Sequence, residues 1–532
     1  MSDLFTAEDL PGGLSALLDA LVARTPDLTL RDARGSFTVK ELADRVQRVA
    51  GGLAAWGVQP GDRVAISMRN CREWLEAWFA IAHAGAVLVP LNTRLSVAET
   101  EYVLRHGDVR WVLWRPGDGA LDAQALADLE AAGPPFAGRA VVDGESTVAG
   151  ERTYASLAEA EPIASLEDGL SLGMIQYTSG STAFPKGAML RNAGLVLNGF
   201  GLGHAWQMGP DDRVLVSNPL FHCGGSVFSF MAAVTHGAAP VLMASWRAEE
   251  GAELIEREQI TVAPVIDAAL RDLVVLARST GRRLPSLRLA STAAERDLFE
   301  KVVDALGCEV SNVYGLTECS PNVCVGDIAD PLERRLAFIG RPQPGIELSL
   351  RDPETGTPVA DGGVGEIHVR GGSSIMLGYH GDTEATAKVF TEDGFLRTGD
   401  LGSIDPDGYL AYRGRAKLMI KSGGENVAIE EVEEALRGHE AVADAVVVPI
   451  PHERYGEVGF AYLRRHSGVE VAAADVLQFC RGALAGFKVP KGAVVVDDLP
   501  RTGSGKVDRT TLTAQAQAEA SAPASTAATN SA

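Results

Sequence analysis

Gly61-Asp-Arg-Val-Ala-Ile-Ser67 reads as a tight turn entering a short β-branched strand. Glu73 to Ala84 follows, with Trp74, Ala77, Trp78 and Ile81 spaced as one stripe of a helix. Ala86-Val-Leu-Val89 is then the next strand. The same turn, strand and helix rhythm returns near Val214, Val241, Ile260 and Leu287. Strands separated by helices imply α/β layering with a parallel sheet. No fixed-period repeat runs through the chain, which excludes a solenoid or propeller.

The character changes near residue 415. A helix with Ile429, Val432 and Leu436 on one face is followed by strands at Ala445–Val448 and Val458–Leu463. A helix from Ala472 to Leu484 and a strand at Ala493–Val496 complete a compact α+β module of about 100 residues. The expected organisation is therefore a large multi-layer α/β domain over 1–416 and a small α+β domain over 417–512. Thr513 to Ala532, made almost wholly of Ala, Ser, Thr and Gln, is expected to be disordered.

The 532 residues carry 48 Lys and Arg against 70 Asp and Glu, a net charge of −22. Binders of nucleic acid or anionic membrane need clustered positive charge, so both classes are disfavoured, though a small anionic ligand is not. The apolar stretch Val227 to Trp246 is broken by Thr235-His236-Gly237 and by Pro240, and reads as buried core rather than a membrane span. Six cysteines without a Cys-x-x-Cys make neither a disulfide framework nor a zinc site. Met1 to Asp9 lacks the basic and apolar regions of a signal peptide, so a cytoplasmic protein, monomeric or homodimeric, is expected.

The stretch richest in chemistry is Tyr177-Thr-Ser-Gly-Ser-Thr-Ala-Phe-Pro-Lys-Gly187. Thr178, Ser179, Gly180, Ser181 and Thr182 can wrap phosphate oxygens with hydroxyl and backbone N–H donors, and Lys186 adds a point charge. It is not a Walker loop, and alone it also reads as a flexible turn. Asn312-Val-Tyr-Gly-Leu-Thr-Glu318 offers an aromatic face at Tyr314 for a base and a hard oxygen at Glu318 for Mg²⁺. Asp400 can accept both hydroxyls of a ribose, and Arg415 can pair with ribose or phosphate oxygens. Other motifs fail. Gly201-Leu-Gly203 meets Trp206 where a dinucleotide fingerprint needs Gly, and Gly224-Gly-Ser226 meets Phe228 where a nucleophile elbow needs Gly. His439-Glu440 and His452-Glu453 lack the second His of a zinc protease helix.

Taken together, five segments in order resemble the acyl- and aryl-CoA synthetases of the adenylate-forming superfamily. They are the Tyr177–Gly187 loop, Asn312–Glu318, Arg397-Thr-Gly-Asp-Leu401, Gly414–Asn426 and Pro500-Arg-Thr-Gly-Ser-Gly-Lys506. The resemblance runs from roughly Phe37 to Leu512. It implies an ATP-dependent ligase that joins a small carboxylic acid to AMP with release of pyrophosphate, then passes the acyl group to coenzyme A. An acceptor such as a carrier-protein thiol, an amine or nitrite is the alternative. It further implies that Thr178 to Thr182, Lys186, Asn312, Tyr314, Thr317, Asp400 and Arg415 bind ATP, and that Glu318 holds Mg²⁺. Lys506 would be the catalytic lysine on the small domain, acting with Thr178 and Glu318, and Lys417 the hinge about which that domain turns as a lid.

Pro219-Leu-Phe-His-Cys-Gly-Gly225 looks like the segment whose His gates the acid pocket, which nominates His222. Cys223 and Gly224 leave room there for a ring or a branched chain. Asp267 either meets a polar substituent on the acid or starts a helix. The chain departs from the family pattern at Ala183 (usually Gly), Leu418 (often Asp), Ile429 (often Pro) and Ala290-Ser-Thr-Ala-Ala294 (often Gly-Gly-Ala-Pro).

Overall fold

In the computed structural model, strand Arg63–Ser67, helix Arg72–His83 and strand Val87–Pro90 follow one another, and the two strands pair in parallel from Arg63 with Val87 to Ile66 with Pro90. The structure describes residues 4–521, except 120, 134–135, 145–149, 179–184, 295, 416–418, 423–424, 453–454, 485, 487 and 502–506. The Arg72–His83 helix is buried on every face from Glu73 to His83, more than its apolar stripe implies. Trp74, Trp78 and Phe79 pack edge to face, and both Trp78 and Phe79 reach Phe230. Its two buried carboxylates are paired, Glu73 with Arg34 and Arg115 and Glu76 with Arg45, as buried charges must be.

The chain forms two compact units. The larger comprises Met1–Ser349, His368–Thr398 and Asp405–Ala411; the smaller comprises Leu350–Ile367, Gly399–Ile404 and Tyr412–Ala532. Each unit is assembled from separate stretches of the chain.

The larger unit holds two sheets. The first runs Arg152–Thr153, Gly138–Val141, Val109–Trp114, Arg63–Ser67, Val87–Pro90, Leu172–Thr178, Lys186–Arg191. The second runs Arg341–Pro342, Asn322–Val325, Glu309–Gly315, Leu289–Thr292, Val262–Pro264, Arg213–Val216, Ala239–Leu242, Thr29–Asp32, Gly35–Thr38. The recurrence near Val214, Val241, Ile260 and Leu287 thus supplies neighbouring strands of this second sheet. Val227, Phe230, Met231 and Ala232 are buried, as expected of a core segment, and Ser226–Met231 widens locally into a π-turn. No helix among the described residues is long and apolar enough to cross a membrane. All six cysteines are buried thiols.

In the smaller unit, strands Glu425–Ala428, Met419–Ser422, Gly456–Arg465 and Val442–His452 lie side by side, and Gly492–Val496 joins Gly456–Arg465 in parallel. Ile429, Val432 and Leu436 face its core with Val447, Leu463 and Val476, as their spacing requires. One expectation is corrected. Thr513 to Ser521 are not disordered but continue the helix Arg509–Ser521; residues 522–532 lie outside the described residues. Two apolar positions one turn apart, Leu512 and Ala516, are enough to dock it on Val446, Val448 and Tyr462. Arg509 then locks its first turn through a two-pronged ion pair with buried Glu433.

Candidate active site

Strands Arg213–Val216, Val262–Pro264, Leu289–Thr292 and Glu309–Gly315 are adjacent and parallel. Their carboxyl ends therefore open on one edge, where open α/β sheets bind ligands. The turn with His222 follows the first, Ile266 and Asp267 the second, Ala293–Ala294 the third, and Thr317–Glu318 the fourth, whose last residues include Tyr314. Residues about a hundred positions apart in sequence are gathered by topology alone.

Asn312 spends its side chain on the neighbouring strand end. Its amide donates to the Ala294 carbonyl (2.9 Å) and accepts from the Ala294 and Val313 N–H groups (3.3 and 2.9 Å). It thereby pins the unusual Ala290–Ala294 segment rather than presenting its amide outward. Tyr314 is buried beside it. Thr317–Cys319 is a single 3₁₀ turn that carries Glu318, partly exposed.

Glu318 is held by a residue that motif reading does not single out. Tyr379 Oη donates to Glu318 Oε1 at 2.7 Å, and the Met376 N–H donates to the Glu318 carbonyl at 2.8 Å. Burial, reinforced by the Glu318 charge, pushes the Tyr379 phenol far above its usual range, so it remains a donor. The other edge of the same segment lies along strand Lys186–Arg191: Leu377 N–H donates to Met189, Met189 N–H to Gly378, and His380 N–H to Gly187. Segment 376–380 thus sutures the two sheets, and Lys186 Nζ sits 5.1 Å from the Tyr379 ring centre.

The phosphate-loop stem is equally well held. Thr178 pairs with Lys186 across the antiparallel ladder, and its hydroxyl donates to the Lys186 carbonyl at 3.4 Å. Tyr102 Oη donates to the Pro185 carbonyl (3.2 Å), and His106 Nδ1 meets Tyr177 Oη (2.7 Å). Both come from helix Val97–His106 and clasp the two sides of the stem. Ser179, Gly180, Ser181 and Thr182, with Ala183, lie outside the described residues.

Two buried amides brace the His222 turn. Asn70 donates to the carbonyls of Val216, Asn218 and Met243 and accepts from Leu220 N–H; Gln176 donates to the Phe221 carbonyl. His222 is exposed, and its Nδ1 accepts from Gly224 N–H at 3.1 Å, which leaves Nε2 to carry the ring proton when neutral. Gly225 cannot be replaced, since a Cβ there would lie 2.3 Å from the Pro219 carbonyl oxygen. Cys223 points inward to Gln176 (3.8 Å), and burial, with Glu318 nearby, pushes its thiol up to about 12. Asp267 is an exposed first-turn residue of helix Asp267–Thr280, 3.8 Å from Arg271.

In the smaller unit, Asp400 and Arg415 come together. Asp400 is buried, and Arg415 Nε lies 3.0 Å from its Oδ1. Tyr412 stands beside both; burial and the charges of Asp400 and Glu430 push its phenol up. Lys417 and Leu418, at the expected hinge, and the catalytic candidate Lys506 lie outside the described residues. The stem of the Lys506 turn is closed by an antiparallel bridge between Arg501 and Val507 and by Asp508 N–H donating to Pro500 (2.8 Å).

A hydroxyl-rich loop stem sutured to a carboxylate-bearing turn at the carboxyl edge of parallel strands is the architecture of an adenylate-forming enzyme. The chain belongs to the AMP-binding enzyme family: that family's model matches residues 18–380, and the model of the AMP-binding enzyme C-terminal domain matches 431–506. It is similar to the feruloyl-CoA synthase of an Amycolatopsis species, 35% identical over 481 residues that cover 90% of this chain and 94% of the relative. Among solved structures it is similar to ATP-bound MatB from Rhodopseudomonas palustris (TM-score 0.82, 29% identity, 95% of this chain and 98% of that one). It is also similar to o-succinylbenzoate CoA synthetase, MenE, from Bacillus subtilis in complex with an acyl-adenylate intermediate (TM-score 0.79, 27% identity, 93% and 97%). The chain is an acyl- or aryl-CoA synthetase, an AMP-forming acid–CoA ligase that activates a small carboxylic acid with ATP.

Proposed function

We propose that Glu318, Lys186 and the Thr178–Thr182 loop together hold the polyphosphate of ATP while the acid lies at the His222 turn. The observation that supports this best is the Tyr379 segment, which ties the loop stem to Glu318. A carboxylate oxygen of the acid attacks the α-phosphorus and pyrophosphate leaves. A coenzyme A thiol then attacks the acyl carbon, loses its proton and displaces AMP. The protein supplies position and charge rather than a nucleophile.

The donors fit Mg²⁺: Glu318 is a hard oxygen ligand, and among the described residues no cluster of three or more His, Cys, Asp or Glu competes as an all-protein metal cage. Glu318 and a loop hydroxyl such as Thr178 would hold the ion, which when bound neutralises phosphate charge. Tyr379 orients Glu318, and Lys186 adds a fixed positive charge. Tyr314 and Asn312 shape the adenine side, and Thr317 helps hold the nucleotide beside Glu318. Asp400 and Arg415 take the ribose. Lys506 bridges acid and α-phosphate in the first step and leaves with the small domain, which turns about Lys417. The enzyme works in the cytoplasm as a monomer or homodimer.

Acids bearing a ring or branched chain suit the small residues Cys223 and Gly224, and feruloyl-CoA synthase is among the relatives. The test is ATP–pyrophosphate exchange over a panel of such acids, followed by mass analysis of products with and without coenzyme A. Exchange that needs an acid, with a thioester only when coenzyme A is present, supports the assignment; no exchange with any acid overturns it.

A further inference from the structure

Asn218 stands between the two walls of the proposed acid site, and its buried amide is shared between them. Its Nδ2 donates toward the Gly224 carbonyl (3.2 Å) and Ser229 Oγ (3.4 Å) on one side and the Pro264 carbonyl (3.0 Å) on the other. Its Oδ1 accepts from Ile266 N–H at 3.1 Å. Ser229 Oγ repeats the link, donating toward the same two carbonyls of Gly224 and Pro264 at 3.0 and 3.1 Å. One wall is the turn that carries His222. The other is the corner where strand Val262–Pro264 ends, and there Ile266 is 46% exposed although Val265 just before it is 1% exposed. An exposed apolar side chain at the carboxyl end of a parallel strand, tied through one amide to an exposed histidine turn, is placed to meet an acid's hydrocarbon part.

We infer that Asn218 is a positioning residue that sets the spacing of the His222 turn and the Ile266 corner, and so governs which acids the enzyme accepts. The inference rests on reading the His222 turn as the acid site. Asn218 touches neither nucleotide side nor reacting atoms; it acts only through the two walls. Its amide can satisfy both walls at once because it carries donors and an acceptor on one rigid plane. Ser229, from the π-turn, keeps the two carbonyls together if the amide alone is weakened.

The test compares His222→Ala, Asn218→Asp and Ser229→Ala in the full-length enzyme, each with separate KM values for ATP and for two accepted acids of different bulk. Asn218→Asp keeps the shape and removes the donors; it should raise KM for the acids roughly tenfold and alter the preference between them, with KM for ATP within about twofold of the parent. Ser229→Ala should move the same quantities in the same direction by less, and it decides the matter if Asn218→Asp does not fold. If His222→Ala leaves acid KM unchanged, the acid-site reading fails. If His222→Ala raises acid KM but Asn218→Asp or, failing that, Ser229→Ala changes ATP and acid KM alike or neither, the inference is overturned.

Discussion

Tyr379 and Glu318 are 61 residues apart in the chain, yet the phenol donates to the carboxylate at 2.7 Å from a segment that also lies along the strand leaving the phosphate loop. Glu318 is therefore held in place before any nucleotide arrives. Hydrogen bonds to a charged group contribute about 1.5–3 kcal/mol when their partner is removed. Tyr379→Phe should lower the rate of pyrophosphate exchange roughly ten- to hundredfold and raise the Mg²⁺ concentration needed for half-maximal rate. Exchange measured across a Mg²⁺ series checks this; an unchanged Mg²⁺ midpoint would show that Tyr379 does not position the ligand.

Glu318→Gln keeps the size and the hydrogen bond from Tyr379 but removes the charge. It should still bind ATP, by calorimetry, while adenylate formation falls by about a hundredfold or more. Wild-type exchange in this variant would remove Glu318 from the metal site.

In the smaller unit, buried Glu433 accepts from Val447 N–H and from both arms of Arg509. Glu433→Gln should destabilise that unit by about 2–3 kcal/mol, less than the ~3–5 kcal/mol of a fully buried pair because Arg509 is 29% exposed. Chemical denaturation reports the loss, and hydrogen exchange should locate it in helix Arg509–Ser521. A variant as stable as the parent would mean that this ion pair is not what holds the helix.

The α/β layering was readable from Gly61–Val89 because short β-branched runs flank a 3.6-residue apolar stripe there within thirty positions. Thr178 and Glu318 could be nominated as site candidates because their motifs are local. Tyr379, Tyr102 and Asn218 were not: each acts through a bond to a distant backbone or side-chain atom, and nothing in its own neighbourhood marks it. Asn312 could be nominated from its motif, but the bond its amide makes to Ala294 could not be foreseen from it. The final helix escaped because composition weighs a whole segment, whereas docking needed only Leu512 and Ala516 on one face.

Lys506→Ala should fail in the first half-reaction and not in the second. Removing one preorganised positive contact to a developing phosphate charge costs roughly a hundred- to thousandfold in rate. Single-turnover assays started from ATP and acid should show that loss, while assays started from synthetic acyl-adenylate and coenzyme A should run near the parent rate. Equal losses in both would make Lys506 structural, and a small domain that turns about Lys417 between steps would lose its support. Lys417→Pro gives the complementary result, affecting the two half-reactions unequally by fixing φ near −65°.

The route of one oxygen atom tests the chemistry itself. With an acid labelled with ¹⁸O in both carboxylate oxygens, a single turnover with ATP and coenzyme A should leave one ¹⁸O in the phosphate of AMP, because the attacking oxygen stays on phosphorus when the thiol displaces AMP. The second label should remain in the thioester carbonyl, and pyrophosphate should carry none. Label in inorganic phosphate with ADP as co-product, or unlabelled AMP beside a labelled thioester, would contradict an acyl-adenylate intermediate.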